Sequence, residues 1–281
     1  MLFATDDLLS RLPIEVNACQ HLVSPFDDAT HCVYKLRTTQ GDFALKLLRE
    51  TASPFWRGMD ALFDVKLAQQ VIRSPEHYAC AAHYVNLTIP PLIASDSACA
   101  SLPAYLLTRW LDDEIIDSAH IPLTLIESLA YSDAQRHQNK RTTWGSCLEP
   151  RHLAADWPER IHELLPELDR ESLIPLANLD DFVPMIMDMR WDQCLQQQGR
   201  ISALVDVDAL VFAPKALELV LMEYWLTPIQ LGIWRQAYLA CGGELPTLRD
   251  VRMTYRQLLW PWHILGRLTQ AQWMNWPHFF A

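Results

Sequence analysis

The chain has 281 residues, 50% hydrophobic and 20% charged, with a formal net charge of −11 from 34 acidic and 23 basic side chains. That length buries one large core or two small ones, and the acidic balance repels phosphate backbones, which argues against general nucleic-acid binding. Glycine is scarce, at 8 residues against a usual share of roughly 7%, so collagen-like and linker-rich chains are excluded and a phosphate loop built from several glycines is not to be expected.

Seven scattered cysteines, an odd number with no C-x-x-C pair, point to free thiols in a reducing, cytoplasmic compartment and away from a disulfide framework or zinc site. Asp6, Asp7 and Arg11 interrupt the apolar core that a signal peptide needs. No stretch approaches the roughly 18 apolar residues of a membrane span, so no membrane partner is expected.

In chain order, residues 33–49 split into two short runs around Thr39-Gln40-Gly41-Asp42, a hairpin signal. Apolar residues at 59, 62, 63, 67, 68 and 71 follow a helical period that Ser74-Pro75 is expected to end, with Gly58 in a loop before it. The run SLPAYLLTRWLDDE reads as a strand leaving the first region, followed by a crossing into the second. Helices are expected near 121–137, 156–165, 170–178, 215–226, 229–241 and 247–267, with a short one in the tail. The segment 215–226, bracketed by Pro214 and Pro228 and apolar on nearly every side, belongs inside a bundle. This layout is an α+β chain with a small β-rich lobe (1–111) and a larger helical lobe (112–281), and a cleft between lobes suits a small-molecule site. The tail tryptophans 260, 262, 273 and 276 read as packing residues.

One non-helical island, 182–212, interrupts the helical half. It carries Asp188 with Asp192 and Asp206 with Asp208, flanked by apolar strand-like segments, with Gln198-Gly199-Arg200 as the turn between. A hairpin there brings the two acidic ends together. Carboxylates in apolar surroundings need a metal, a cation or a proton to offset desolvation, so the cluster suggests divalent-ion binding or acid/base work; capping of turns is the plainer reading of any single one of them.

The island resembles the aminoglycoside phosphotransferase and choline kinase group of the protein-kinase-like superfamily. That group carries H-G-D-x-x-x-x-N, a turn with glycine, then an apolar strand ending in I-D; here Asp188 and Asp206 stand 18 residues apart with Gly199 between them. Ala44-Leu45-Lys46 follows the hairpin as the lysine strand of such a kinase does, residues 106–111 are similar to its hinge strand, and the segments from Glu223 and from Arg252 are similar to its terminal helices. The resemblance implies a two-lobed protein-kinase-like fold and ATP- and Mg2+-dependent phosphoryl transfer to a hydroxyl of a small molecule, which the acidic second half would favour as cationic. By position, Lys46 would hold the α- and β-phosphates with Asp64 orienting it, Thr30 would contribute from the covering loop, Thr108 and Trp110 would line the adenine hinge, Asp188 would accept or position the substrate hydroxyl, and Asp206 and Gln193 would bind metal.

The departures are specific. Ile186 and Met187 replace the His-Gly before Asp188, and Gln193 stands for the metal-binding Asn, with Asp192 beside it as a substitute ligand. The phosphate-covering loop, residues 24–31, contains two acids and no glycine. An alternative reading is therefore a pseudokinase-type binding or regulatory module.

Overall fold

The computed structural model describes residues 6–24, 29–49, 53–99, 103–179, 181–266 and 268–281. Helix α1 (Asp6–Arg11) precedes strands β1 (Ala18–Leu22), β2 (His31–Thr38) and β3 (Gly41–Leu48). Thr38 pairs with Gly41 across a two-residue turn, where the Thr38 hydroxyl accepts from Gln40 N at 2.9 Å and Gly41 takes φ +108°. Helices α2 (Pro54–Phe63), α3 (Leu67–Ile72) and α4 (Ser74–Tyr84) lead to β4 (Leu92–Asp96) and β5 (Tyr105–Arg109). The five strands form one antiparallel sheet ordered β1-β2-β3-β5-β4.

Alternation along β2 and β3 sorts their side chains. Cys32, Tyr34, Leu36, Phe43, Leu45 and Leu47 pack in a small core with α1 on the outer face. His31, Val33, Lys46 and Leu48 take the opposite face.

The expected helix over 59–72 is two helices. Asp64 adopts the left-handed φ of +57°, ends α2 by donating its N–H to Asp60 O, and separates α2 from α3. The run ends at Ile72 as expected, and Ser74-Pro75 also starts the next helix, because proline lacks an N–H that the first turn would leave unpaired in any case. Gly58 lies inside α2 and not in a loop before it: a Cβ there would stand 2.4 Å from Trp262 Cε2, so glycine permits the close approach of helix and indole. Through such contacts α2 and α4 share the large core with the second half of the chain.

Beyond the sheet come β6 (Glu114–Ile115), α5 (Leu123–Arg136), β7 (Thr143–Ser146), β8 (His152–Leu153), α6 (Asp156–Leu164) and a 3-10 segment, Glu171–Asn178, where an α-helix was expected. The island supplies β9 (Phe182–Ile186), β10 (Cys194–Gln197), β11 (Arg200–Leu204) and β12 (Leu210–Pro214). Helices α7 (Lys215–Trp225), α8 (Pro228–Ala240), α9 (Arg252–Leu259) and α10 (Gln270–Met274) close the chain. The expected helix over 247–267 is shorter: α9 passes into a 3-10 turn at Trp260–Trp262 that ends with His263 at φ +59°. Trp262 and Trp273 are buried, Trp262 edge-on to Phe55 and Phe63, as packing residues should be.

Helix α7 is buried on nearly all sides, yet it carries two glutamates. Glu218 meets Arg136 (2.6 Å) and His137 (2.6 Å) of α5, and burial, which alone would raise its pKa, is outweighed by Arg136 and His137, which hold it at about 2. Glu223, fully buried, pairs with Arg252 (3.1 Å) and Arg256 (3.0 Å) of α9 and accepts from Phe279 N and Phe280 N, which fastens the C-terminal segment to α7. Removing one partner leaves the others charged and dry, so Glu223→Ala is expected to cost about 3–5 kcal/mol, read as a shift of the urea midpoint; a loss below about 1 kcal/mol would show that water reaches the arginines.

Candidate active site

Two strand pairings set the carboxylates. In β9–β12, Ile186 pairs with Leu210, and Met187 N donates to Ala209 O at 3.2 Å. In β10–β11, Cys194 pairs with Leu204, and Val205 N donates to Gln193 O at 2.9 Å. The turn between β10 and β11 is Gln198-Gly199 with φ of +54° and +74°, a two-residue arrangement that favours glycine at its second position. The stretches 187–193 and 205–209 are therefore held side by side at both ends. Asp188, Gln193, Asp206 and Asp208 line one small cavity with Thr30, His31, Trp56, Ile186 and Ala209.

Lys46 enters from the inner face of the sheet. Its Nζ lies 3.5 Å from Asp206 Oδ1 and donates to Val205 O at 3.1 Å. Burial pulls the lysine pKa down, but Asp206, with Tyr78 and Asp208, more than reverses this and raises it. For Asp206 the signs mirror: burial favours the acid form, Lys46 outweighs it, and the pKa is lowered. Asp188 is different. Burial pushes it up to about 7, with Asp206 adding to the rise and Arg190 opposing it.

Arg190 Nη1 donates to Asp188 Oδ1 at 2.9 Å and Arg190 Nε to Asp192 Oδ1 at 3.1 Å. Asp192 is exposed and does not line the cavity. Gln193 is buried, but its amide oxygen accepts from Arg190 N (3.3 Å) while its amide nitrogen faces Asp188 (3.4 Å), so the oxygen expected to meet metal is turned toward backbone in this rotamer. Thr108 is buried in β5 between β3 and β4. Trp110 N donates to Asp42 O at 3.1 Å, and the Trp110 ring carries Lys35 Nζ at 4.2 Å from its centroid. Residues 25–28 of the covering loop, including both of its acids, lie outside the described residues; Thr30 and His31 follow them on the cavity rim.

Asp64 is a correction. It does not orient Lys46, because the left-handed end of α2 turns its carboxylate toward Arg151 (3.0 Å), His152 (2.7 Å) and Arg160 (3.5 Å). Among the described residues no acid from α2, α3 or α4 pairs with Lys46; Asp206 does.

Three residues at the site, Arg190, His77 and His31, have no role in the sequence reading, and a fourth, Asp208, enters it only as half of an acidic pair. Arg190 holds the acid, and Asp208 adds a buried carboxylate whose Oδ2 has no partner. His77 of α4 places Nε2 2.7 Å from Val207 O, between the two aspartates. His31 faces them across the cavity. Histidine and arginine at single positions give no periodic or spacing signal; Asp208 stood in view as half of a pair.

A divalent cation suits this donor set. The orphaned Asp208 oxygen and the carboxylates of Asp188 and Asp206 are hard ligands, outnumbering the local cations Lys46 and Arg190. Among the described residues no group of three His, Cys, Asp or Glu side chains is placed to hold a metal ion, so a cation here would take one or two carboxylates and fill its shell with water and phosphate, as magnesium can. The cavity itself measures about 20 Å³, room for a water or an ion, so a polyphosphate needs the sheet wall and the carboxylate wall to part.

No protein-family model and no curated protein matches the sequence. Solved structures do match. A macrolide 2′-phosphotransferase from Brachybacterium faecium aligns over 97% of this chain and 98% of its own with a TM-score of 0.61 at 16% identity. A thermostable aminoglycoside phosphotransferase variant crystallised with AMP-PNP and hygromycin B gives 0.58 over 97% and 95% at 14% identity. A third, described as a fructosamine-3-kinase, from Haemophilus somnus, gives 0.57 over 93% and 91% at 10% identity. At these identities the likeness establishes the fold: α+β, two-lobed and protein-kinase-like, as the sequence resemblance implied.

Two measurements follow. Between the ordinary carboxylate range and about pH 7 the folded chain keeps on Asp188 a proton that the unfolded chain has released, so this group lowers stability as pH rises through that window. In metal-free buffer Asp188→Asn should be more stable than wild type at pH 8 by about 1–2 kcal/mol, discounted for the part of the side chain that stays wet, and similar near pH 4; equal urea midpoints at pH 8 would contradict the raised pKa. Asp64→Asn should lower stability by less than about 1 kcal/mol and leave AMP-PNP affinity unchanged by calorimetry, whereas a nucleotide-specific loss would return Asp64 to the phosphate site.

Proposed function

We propose that the chain is an ATP-dependent phosphotransferase that moves a phosphoryl group to a hydroxyl of a small molecule, with an N-lobe over 1–111 and a C-lobe over 112–281. The observation that carries this reading is the convergence of Asp188, Gln193, Asp206 and Asp208 on one cavity, faced by the Lys46 ammonium. Phosphoryl transfer asks little covalent chemistry of a protein and much positioning and charge neutralisation.

In this reading Lys46 leaves its pairing with Asp206 to bind phosphate oxygens, and Asp206, with Asp208 and Gln193, holds the metal. Mg2+, when bound, would neutralise charge on the transferring phosphate. Asp188, with a pKa near neutrality, receives the hydroxyl proton as the acceptor oxygen bonds to phosphorus, and ADP departs with the former bridging oxygen. Thr108 and Trp110 border the adenine. The similar structures are named for macrolide, aminoglycoside and fructosamine substrates, which supports a hydroxylated acceptor; the net charge of −11 favours a cationic one. Seven free cysteines support a reducing, cytoplasmic setting. Among the described residues no helix is long and apolar enough to cross a membrane.

One set of observations favours a pseudokinase-type module instead: Arg190 occupies Asp188, the Gln193 oxygen is turned away, and the cavity is ion-sized. A thermal-shift titration with ATP and Mg2+ separates the readings in order. Stabilisation approaching about 2.7 kcal/mol at a hundredfold excess over Kd is expected, and none at millimolar nucleotide would rule against the phosphotransferase and leave the module. A screen of amino-alcohols, aminoglycosides and sugars then tests transfer. Asp188→Asn should cut turnover at least ~10²-fold with AMP-PNP affinity retained; nucleotide binding without transfer to any acceptor would favour the module.

A further inference from the structure

The cavity has two walls of opposite character. On one side stand the acceptors Asp188, Asp206 and Asp208. Thr30 and His31, at the start of β2, line the cavity as well, and Lys46 of β3, on the same face of the sheet as His31, reaches Asp206 at 3.5 Å. Both His31 Nε2 and Asp208 Oδ2 are buried and lack hydrogen-bond partners. An unpartnered buried polar atom is uncommon and asks for a ligand or a water; here there are two, on residues that line the same cavity.

The opposite ring nitrogen is occupied. His31 Nδ1 lies 3.2 Å from Thr30 Oγ1; in the tautomer in which the hydroxyl donates to Nδ1, the ring proton sits on the unpartnered Nε2. A ligand that satisfies both walls presents a cation to the carboxylates and anionic oxygens to the lysine and the imidazole. That description fits a metal-bound di- or triphosphate and excludes an uncharged adenosine.

We propose that His31 Nε2–H donates a hydrogen bond to a phosphate oxygen of the bound nucleotide, serving where a glycine loop would offer backbone N–H groups. The inference rests on the phosphotransferase reading and adds a phosphate-binding residue to it. It makes His31 the complement of Lys46: the ammonium supplies charge, the imidazole a directed donor, and both issue from one face of adjacent strands.

The test compares wild type, His31→Ala and His31→Gln by calorimetry with AMP-PNP–Mg2+ and with adenosine, and by electron paramagnetic resonance with Mn2+ alone. Melting temperatures check that each variant folds. His31→Ala should weaken AMP-PNP–Mg2+ about 10- to 100-fold, leave adenosine binding unchanged, and leave Mn2+ binding unchanged. His31→Gln, whose amide N–H can reach the same region, should recover most of the loss and serves if the alanine variant is unstable. Equal AMP-PNP affinity in all three proteins would overturn the proposal and leave a water as the partner of Nε2. Equal losses for adenosine and AMP-PNP would assign a structural role, and loss of Mn2+ affinity without nucleotide would make His31 a metal ligand, each against the proposal. Absence of AMP-PNP–Mg2+ binding in wild type would defeat the phosphotransferase reading itself, and is visible before any variant is compared.

Discussion

Three carboxylates gathered at one seam, Asp208 buried and Asp188 and Asp206 partly so, are the constraint around which the rest of this structure is arranged. A buried carboxylate is costly unless paired, protonated or bound to metal. Asp206 is paired with Lys46, Asp188 is held by Arg190 and pushed toward protonation, and Asp208 retains an oxygen with no partner. The local charge does not balance with the protein's own cations, and that imbalance gives the cavity an appetite for a cation and for the anion a cation can carry.

Keeping such a seam in place requires stiffness behind it, and the second half of the chain provides it through buried charge as well as through packing. Arg136 joins Asp133 and Glu218 and also donates to Pro184 O in β9, the strand that leads to Asp188. Proline is tolerated there because β9 lies at the edge of its sheet, where the outer flank is bridged at Phe182 to Arg141 and Pro184 has only its carbonyl to satisfy, which Arg136 does. His77, reaching from α4 to Val207 O, ties the helices before β4 to the loop that holds Asp206 and Asp208. A displacement of α4 would therefore be felt at the carboxylates.

The shortage of glycine acquires a physical account in the same terms. Gly41 and Gly199 sit in hairpin turns at positive φ, and Gly58 lets α2 rest against Trp262. Between Ser24 and His31 there is no glycine, and the described rim of the cavity presents the side chains of Thr30 and His31.

Much of this was legible in the sequence because it depends on local periodicity and fixed spacing. Two short strand-like runs marked β2 and β3, turn chemistry at Gly41 and Gly199 marked two hairpins, and the 18-residue interval between Asp188 and Asp206 matched the spacing of the resembled group, with both acids at the open end of one hairpin. What the sequence alone misjudged depends on long-range geometry. A helical period runs straight through Asp64, and only the left-handed backbone there, stabilised by Arg151 and His152 from distant segments, breaks it and carries the carboxylate away from Lys46. The partners of Lys46, Glu218 and Glu223 lie 29 or more residues away in the chain, beyond the reach of any local pattern. Residue types and spacing thus determined which acids meet; the tertiary structure decided which cation faces each of them, because burial and charge pairing are properties of the assembled seam and not of the strands that form it.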